Sequence, residues 1–220
     1  MIFLQIVANN AVPDRSLSLW DLTLAGGPLM IPIFLSSVFA IYIFVERLLT
    51  INKANQSPDV FMGRIKELVQ KGDINGARIL CSQVDTPIAR MIEKGVTRIG
   101  SPLKNIEASI ENVAKLELFK LEKNLSVLAT VSGAAPMMGF LGTVIGMVQA
   151  FMRISQLEGS VSPKELSSGI YVAMITTVAG LVVGIIAYLG YNYLVTRVSK
   201  VVHKMEYSSL DFIDLLQEPR

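Results

Sequence analysis

Residues 139–151 read GFLGTVIGMVQAF, three glycines and a threonine in a run without a single charged side chain. Glycine costs a helix roughly 1 kcal/mol against alanine, so its return every three or four residues needs a cause other than helix formation. Outward from this run, the charge-free stretch extends from Leu125 to Met152, and two others resemble it, Leu22 to Val45 and Leu166 to Thr196. Each exceeds the roughly 20 apolar residues that a membrane-crossing helix requires. The 220-residue chain is 51% hydrophobic and only 17% charged, and none of the three stretches carries the polar face that a helix of a soluble protein would show. The expectation is an all-α integral membrane protein with transmembrane helices over 22–46, 125–152 and 166–196.

Lysine and arginine set the expected orientation. The segment 47–124 holds 13 of the 20, including Arg47 and Lys53 beside the first span and Lys120 and Lys123 beside the second. By the positive-inside rule this segment is cytoplasmic, and so is the tail 197–220 with Arg197, Lys200 and Lys204. The opening 1–21, with Arg15 alone, and the connection 153–165, with Arg153 and Lys164, are expected on the periplasmic side. The first residues, MIFLQIVANNAVPDRS, lack the basic start and small-residue cleavage site of a secretory signal and are read as an outer-face segment. Basic and acidic residues are interleaved, which gives nucleic acid no patch to bind. Cys81 has no second cysteine to pair with and is read as a small core residue.

In the cytoplasmic segment, Ser57-Pro58 and Thr86-Pro87 each have the form of a cap residue followed by proline at the first helical position. Short amphipathic helices are expected after each, with another through INGARILCSQ between them. The spacing of Ile110, Ala114, Leu118, Leu121, Leu125 and Leu128 predicts one helix running unbroken from the polar segment into the second span. Val195, Val198, Val202, Met205, Ser209, Phe212 and Leu216 likewise predict that the third span continues into the cytoplasm along a coiled-coil-like seam. His203 in this extension is read as solvated or packed rather than as a proton carrier.

On a helical wheel Gly139, Gly142, Thr143, Gly146 and Ala150 share one arc of the second span. Gly169, Ala173, Thr176, Thr177, Gly180, Gly184 and Ala187 share one arc of the third. Small residues on one face let helix backbones approach closely in lipid, so the glycines are candidates for helix packing. The threonines add something: Thr143, Thr176 and Thr177 suggest a narrow polar surface offered to something other than acyl chains. A threonine hydroxyl can also bond to a carbonyl three or four residues back in its own helix, which leaves a purely structural reading open. The spans contain no Asp, Glu, Lys, Arg or His; a proton relay of side chains would normally need one. Nothing in the sequence points to a catalytic residue, a metal site or a cofactor.

APMMGFLGTVIGMVQAF (135–151) and ITTVAGLVVGIIAYLGYN (175–192) resemble the second and third spans of the MotA/TolQ/ExbB family of ion-driven motor subunits, most closely ExbB and TolQ. The resemblance runs from about Leu22 to the end of the chain. It implies a homopentamer in the bacterial inner membrane whose second and third spans line a pore. It also implies a dimer of a one-span ExbD-like or TolR-like partner that supplies a membrane Asp, and a TonB-like or TolA-like protein that receives the work. Thr143 matches the pore threonine of the second span and Thr177 that of the third, with Thr176 beside it. Their hydroxyls would donate hydrogen bonds to the partner's carboxyl group without adding a competing charge. An ExbB-type role in outer-membrane import is preferred. A TolQ-type role in envelope maintenance and a passive membrane scaffold are the alternatives. Where many members carry Glu in the third span this chain has Val172, and where they often carry Pro it has Ile186. The missing Glu leaves the partner's carboxylate as the one titratable group in the implied path.

Overall fold

The computed structural model describes residues 26–55, 58–156 and 163–217. Among them every regular element is a helix: α1 Met30–Ala54, α2 Asp59–Gln70, α3 Ile74–Gln83, α4 Pro87–Val96, α5 Leu103–Glu122, α6 Leu125–Gln156 and α7 Pro163–Gln217. Three stretches, in α1, in α5 and α6, and in α7, are long and apolar enough to cross a membrane. Their most apolar windows are only 22%, 22% and 29% buried within the chain, so most of that surface is left for lipid or other subunits. With 55 residues, α7 is on the order of 80 Å long. The expected outer-face segment 1–21, the Ser57 cap and residues 157–162 of the connection 153–165 lie outside the described residues.

Contacts divide the described chain into two units, one holding the residues up to Leu35 with those of Ala134–Val183, the other those of Ser36–Gly133 with Gly184 onward. In the second unit α2, α3, α4 and α5 pack in sequence, each on the next. Thr86 caps α4 by accepting a hydrogen bond from the Ala89 N–H at 3.3 Å, with Pro87 at the first helical position. Asp73 does the same for α3 through the Gly76 N–H at 2.8 Å. The core here gathers Ile65, Val69, Ala77, Met91, Ile92, Ile110 and Phe212. Gly95 of α4 is small for a reason: a methyl group there would lie 2.7 Å from Phe212 Cε1 and 2.8 Å from Ile110 Cδ1.

Two expectations about the long helices are corrected. The apolar stripe does continue from α5 into α6, but the backbone does not: it breaks at Lys123–Asn124, where Asn124 takes φ 63°. Asparagine tolerates this left-handed conformation better than most residues. The break deprives the last turn of α5 of its acceptor-satisfying N–H groups, and Arg47 of α1 donates from Nη1 to the Lys120 carbonyl at 3.0 Å. The seam of α7 is also displaced. Leu194, Val198, Val201, Met205, Ser208, Phe212 and Leu215 are buried, so Val195, Val202, Ser209 and Leu216 each give way to the preceding residue.

Sequence reasoning passed over an ion network in this unit. Glu117, its side chain only 4% exposed, accepts from Arg90 Nη2 at 2.6 Å and from Lys120 Nζ at 2.7 Å. Arg90 also pairs with Asp85, which takes Lys53 of α1 at 2.6 Å. Burial pushes the Glu117 carboxyl up, but the hydrogen bonds and charges of Arg90 and Lys120 outweigh it and hold it below the usual range. Burial pushes the Cys81 thiol up to about 12, with the charge of Glu93 adding to it. At pH 8 only about one thiol in ten thousand would then be the reactive thiolate. Maleimide is expected to leave Cys81 unmodified in the folded protein and to label it after unfolding; rapid labelling of folded protein would contradict its burial.

Candidate functional site

In the first unit, the small-residue faces of α6 and α7 lie against each other. A methyl group added at Gly139 would stand 2.9 Å from the Thr176 carbonyl oxygen and 3.0 Å from Thr177 Cα. At Gly180 it would meet the Ala135 carbonyl oxygen and sit 3.0 Å from Gly139 Cα. Further along, Gly142 faces Thr176, with Cβ at 2.7 Å from such a methyl; Gly146 faces Ala173 at 2.8 Å; Gly169 faces Ala150 at 2.9 Å. The pairs run in opposite directions along the two helices, the register of an antiparallel pair in backbone contact. Five of the six glycines singled out from the sequence therefore stand at this contact. Gly184 is buried in the other unit.

The three threonines differ in what their hydroxyls do. Thr177 donates across the pair to the Gly139 carbonyl at 2.9 Å. Thr176 donates to the Ala173 carbonyl of its own helix at 2.7 Å, with the Gly139 carbonyl farther off at 3.4 Å. It is buried, with Gly142 on one side and Gly26 on another, where an added methyl would be 3.4 Å from Thr176 Cγ2. Thr143, half-buried, donates to the Phe140 carbonyl at 2.6 Å, a local bond three residues back. The hydroxyl protons of Thr176 and Thr177 are thus engaged within the chain, and what Thr177 has left to offer is the lone pairs of its oxygen. Thr143, bonded only to its own helix, can turn its proton elsewhere at little cost.

Two residues at this contact were not legible as site residues. Ala135 supplies the carbonyl against which Gly180 packs, and Gly26 closes over Thr176. The only signal was the Gly26-Gly27-Pro28 run near the start of the first charge-free stretch. Around the contact, α6 and α7 turn Phe140, Met147, Phe151, Met174 and Val178 outward. Among the described residues no group of three His, Cys, Asp or Glu side chains could hold a metal ion.

A long antiparallel helix pair, closed by glycine and free of charge along its apolar length, is the arrangement of a membrane subunit that packs its helices tightly. Comparison with known proteins gives that arrangement a family. A sequence model of the MotA/TolQ/ExbB proton channel family matches residues 83–207, and the chain belongs to this family. It is 30% identical over 178 residues to a Methanothermobacter thermautotrophicus protein provisionally named a homologue of the biopolymer transport protein ExbB. That match covers 79% of this chain and 62% of the other. It is 35% identical over 137 residues to the biopolymer transport protein ExbB of Aquifex aeolicus, covering 62% of this chain and 86% of that one. With the biopolymer transport protein exbB1 of Vibrio cholerae the identity is 25% over 193 residues, 85% of this chain and 83% of the relative.

Proposed function

We propose that this chain is the ring-forming subunit of an energy-transducing complex in the bacterial inner membrane, driven by the proton motive force, with its amino terminus periplasmic and its carboxyl terminus cytoplasmic. Copies of the chain, five in the family arrangement, surround a dimer of a one-span ExbD-like partner whose membrane Asp takes up and releases the proton. A TonB-like protein carries the resulting work to outer-membrane import. The observation that carries this reading is the α6–α7 pair itself, uncharged from Leu125 to Met152 and from Leu166 to Thr196 and with hydroxyls of known engagement. A neutral carboxylic acid needs an acceptor for its proton, which the lone pairs of Thr177 supply; a carboxylate needs a donor, which Thr143 supplies by leaving its local bond. Neither hydroxyl brings a charge that would hold the acid permanently in one state. Val172 adds no second titratable group in the ring.

The threonines provide the test. Thr143→Val and Thr177→Val are expected to abolish proton-driven work in cells while the assembled complex still purifies intact. Thr143→Ser and Thr177→Ser restore a hydroxyl and should restore function. For Thr177→Val the lost interhelical bond costs only about 0.6 kcal/mol, the average for such bonds in membranes, too little to disassemble the complex. Full activity in both valine variants would favour a passive scaffold.

A further inference from the structure

In the polar part of the chain, two bare apolar patches stand on different helices. On α5, Leu116 is 63% and Phe119 74% exposed; on α7, Tyr207 is 69% and Leu210 64% exposed. Each pair is spaced by three residues and so shares one face of its helix. Acyl chains do not cover them, because charged residues surround both. Within one helical turn of Leu116 and Phe119 lie Lys115, Lys120 and Lys123 against the exposed Glu122 and the buried Glu117; Lys120 pairs with Glu117 and Lys115 with Glu111 one turn back. Around Tyr207 and Leu210 lie Glu206, Asp211 and Asp214, while Lys204 is turned away to the side chain and carbonyl of Asn55. Patches of this kind, apolar at the centre and rimmed by charge, mark interaction surfaces. Among the charges at the surface, lysines outnumber carboxylates within a turn of the first patch and carboxylates outnumber lysines within a turn of the second.

Their depth matters as much as their chemistry. Ile110 of α5 and Phe212 of α7 touch the same residue, Gly95, and so stand at one level. From there α5 runs toward its span, and α7 traced backward does the same. Leu116 and Phe119 lie six and nine residues along, Leu210 and Tyr207 two and five, which puts the two patches within about one helical turn of each other. A ring in a membrane has its symmetry axis along the bilayer normal, so each residue keeps its depth from one copy to the next. Only surfaces at matching depth can meet.

We infer that the Leu116–Phe119 patch of one copy docks on the Tyr207–Leu210 patch of the next, making the head-to-tail contact between neighbours in the cytoplasmic part of the ring. Two different surfaces meeting by rotation generate a closed ring, whereas a self-complementary patch would stop at a dimer. Lysines of the first rim then face carboxylates of the second, which steers the register of the pair more than it adds affinity. This contact rests on the ring reading proposed above and assigns its partner surface.

The test uses the full chain in its membrane, carrying Phe119→Cys and Tyr207→Cys together; Cys81 is buried and stays silent. A short bis-maleimide is expected to link copies into a ladder ending at the full ring, while either single variant gives no ladder. Phe119→Glu with Leu116→Glu should weaken self-association at least tenfold with helical content unchanged, as expected for a central apolar anchor. Links confined to dimers, links to a co-expressed one-span partner instead of to a second copy, or no links in a complex whose native mass shows a ring would each overturn the docking while leaving the ring reading standing. A monomeric native mass, with and without the partner, would overturn both.

Discussion

Gly180→Val is expected to be among the most damaging single substitutions in the membrane part of the chain. The new side chain would be driven into the Ala135 carbonyl and the backbone of Gly139. Neither is the end of a flexible side chain, so relief requires α6 and α7 to move apart along their length. Overpacking usually costs about 1–3 kcal/mol, and the upper end is expected here because backbone must give way and the Thr177–Gly139 bond is lost with it. Thermal unfolding of the purified protein in detergent should show a clear drop, and proton-driven work should vanish. Gly133→Ala is the matched control. It lies in the same helix as Gly139, with nothing within 4 Å of the added methyl, and alanine there is expected to be neutral or to stabilise by up to about 1 kcal/mol. Equal stability of Gly180→Val and the parent protein would contradict the close contact of the two helices.

The second large effect lies in the polar unit. Arg90→Met removes the main partner of Glu117 and leaves a buried carboxylate held by Lys120 alone. Breaking a buried ion pair from one side costs about 3–5 kcal/mol, and the remaining lysine, together with the partial exposure of Arg90, places this one at the low end. Arg90→Met with Glu117→Leu removes the orphaned charge and should recover most of the loss; failure to recover would show that Arg90 matters through something other than Glu117. The same network predicts an acid response. The carboxyl of Glu117 is lowered in the folded protein, so its contribution is complete above the ordinary value of 4.5 and fades as pH falls below it, through the lowered value. The parent protein should therefore lose stability in that window faster than the double variant.

Much of this architecture is legible in the sequence, and the gaps have physical reasons. The spans declare themselves because crossing a bilayer demands about 20 consecutive residues without charge, and a water-facing helix does not tolerate such a run. The helix ends at Thr86-Pro87 are local chemistry and could be read locally. The seam of α7 was misplaced by one residue because Leu194/Val195, Val201/Val202, Ser208/Ser209 and Leu215/Leu216 are pairs of near-equal hydrophobicity; only the partner helices decide which member faces inward. The break at Asn124 is invisible to periodicity, since the apolar stripe runs through it and the sign of a single φ does not alter the stripe. Glu117 reads as an interruption of an apolar face until Arg90 and Lys120 are seen beside it.

At the candidate site, the matched glycine faces were readable as faces, but not as faces of one contact. That distinction changes the role of the hydroxyls. Thr176 is enclosed by Gly26 and Gly142, and the proton of Thr177 belongs to Gly139. Thr143 alone is free to turn its donor to a visiting group, and that assignment depends on side-chain geometry that no spacing rule supplies.

The central claim is that this chain forms an uncharged, hydroxyl-lined passage and that the group which titrates belongs to the one-span partner. Proton flux into vesicles tests it most directly, measured with a pH-sensitive dye under an imposed membrane potential for this chain alone, for the chain with its partner, and for the chain with a partner whose membrane Asp is changed to Asn. The account predicts flux only in the second preparation. Voltage-driven flux of equal size from the chain alone would contradict it.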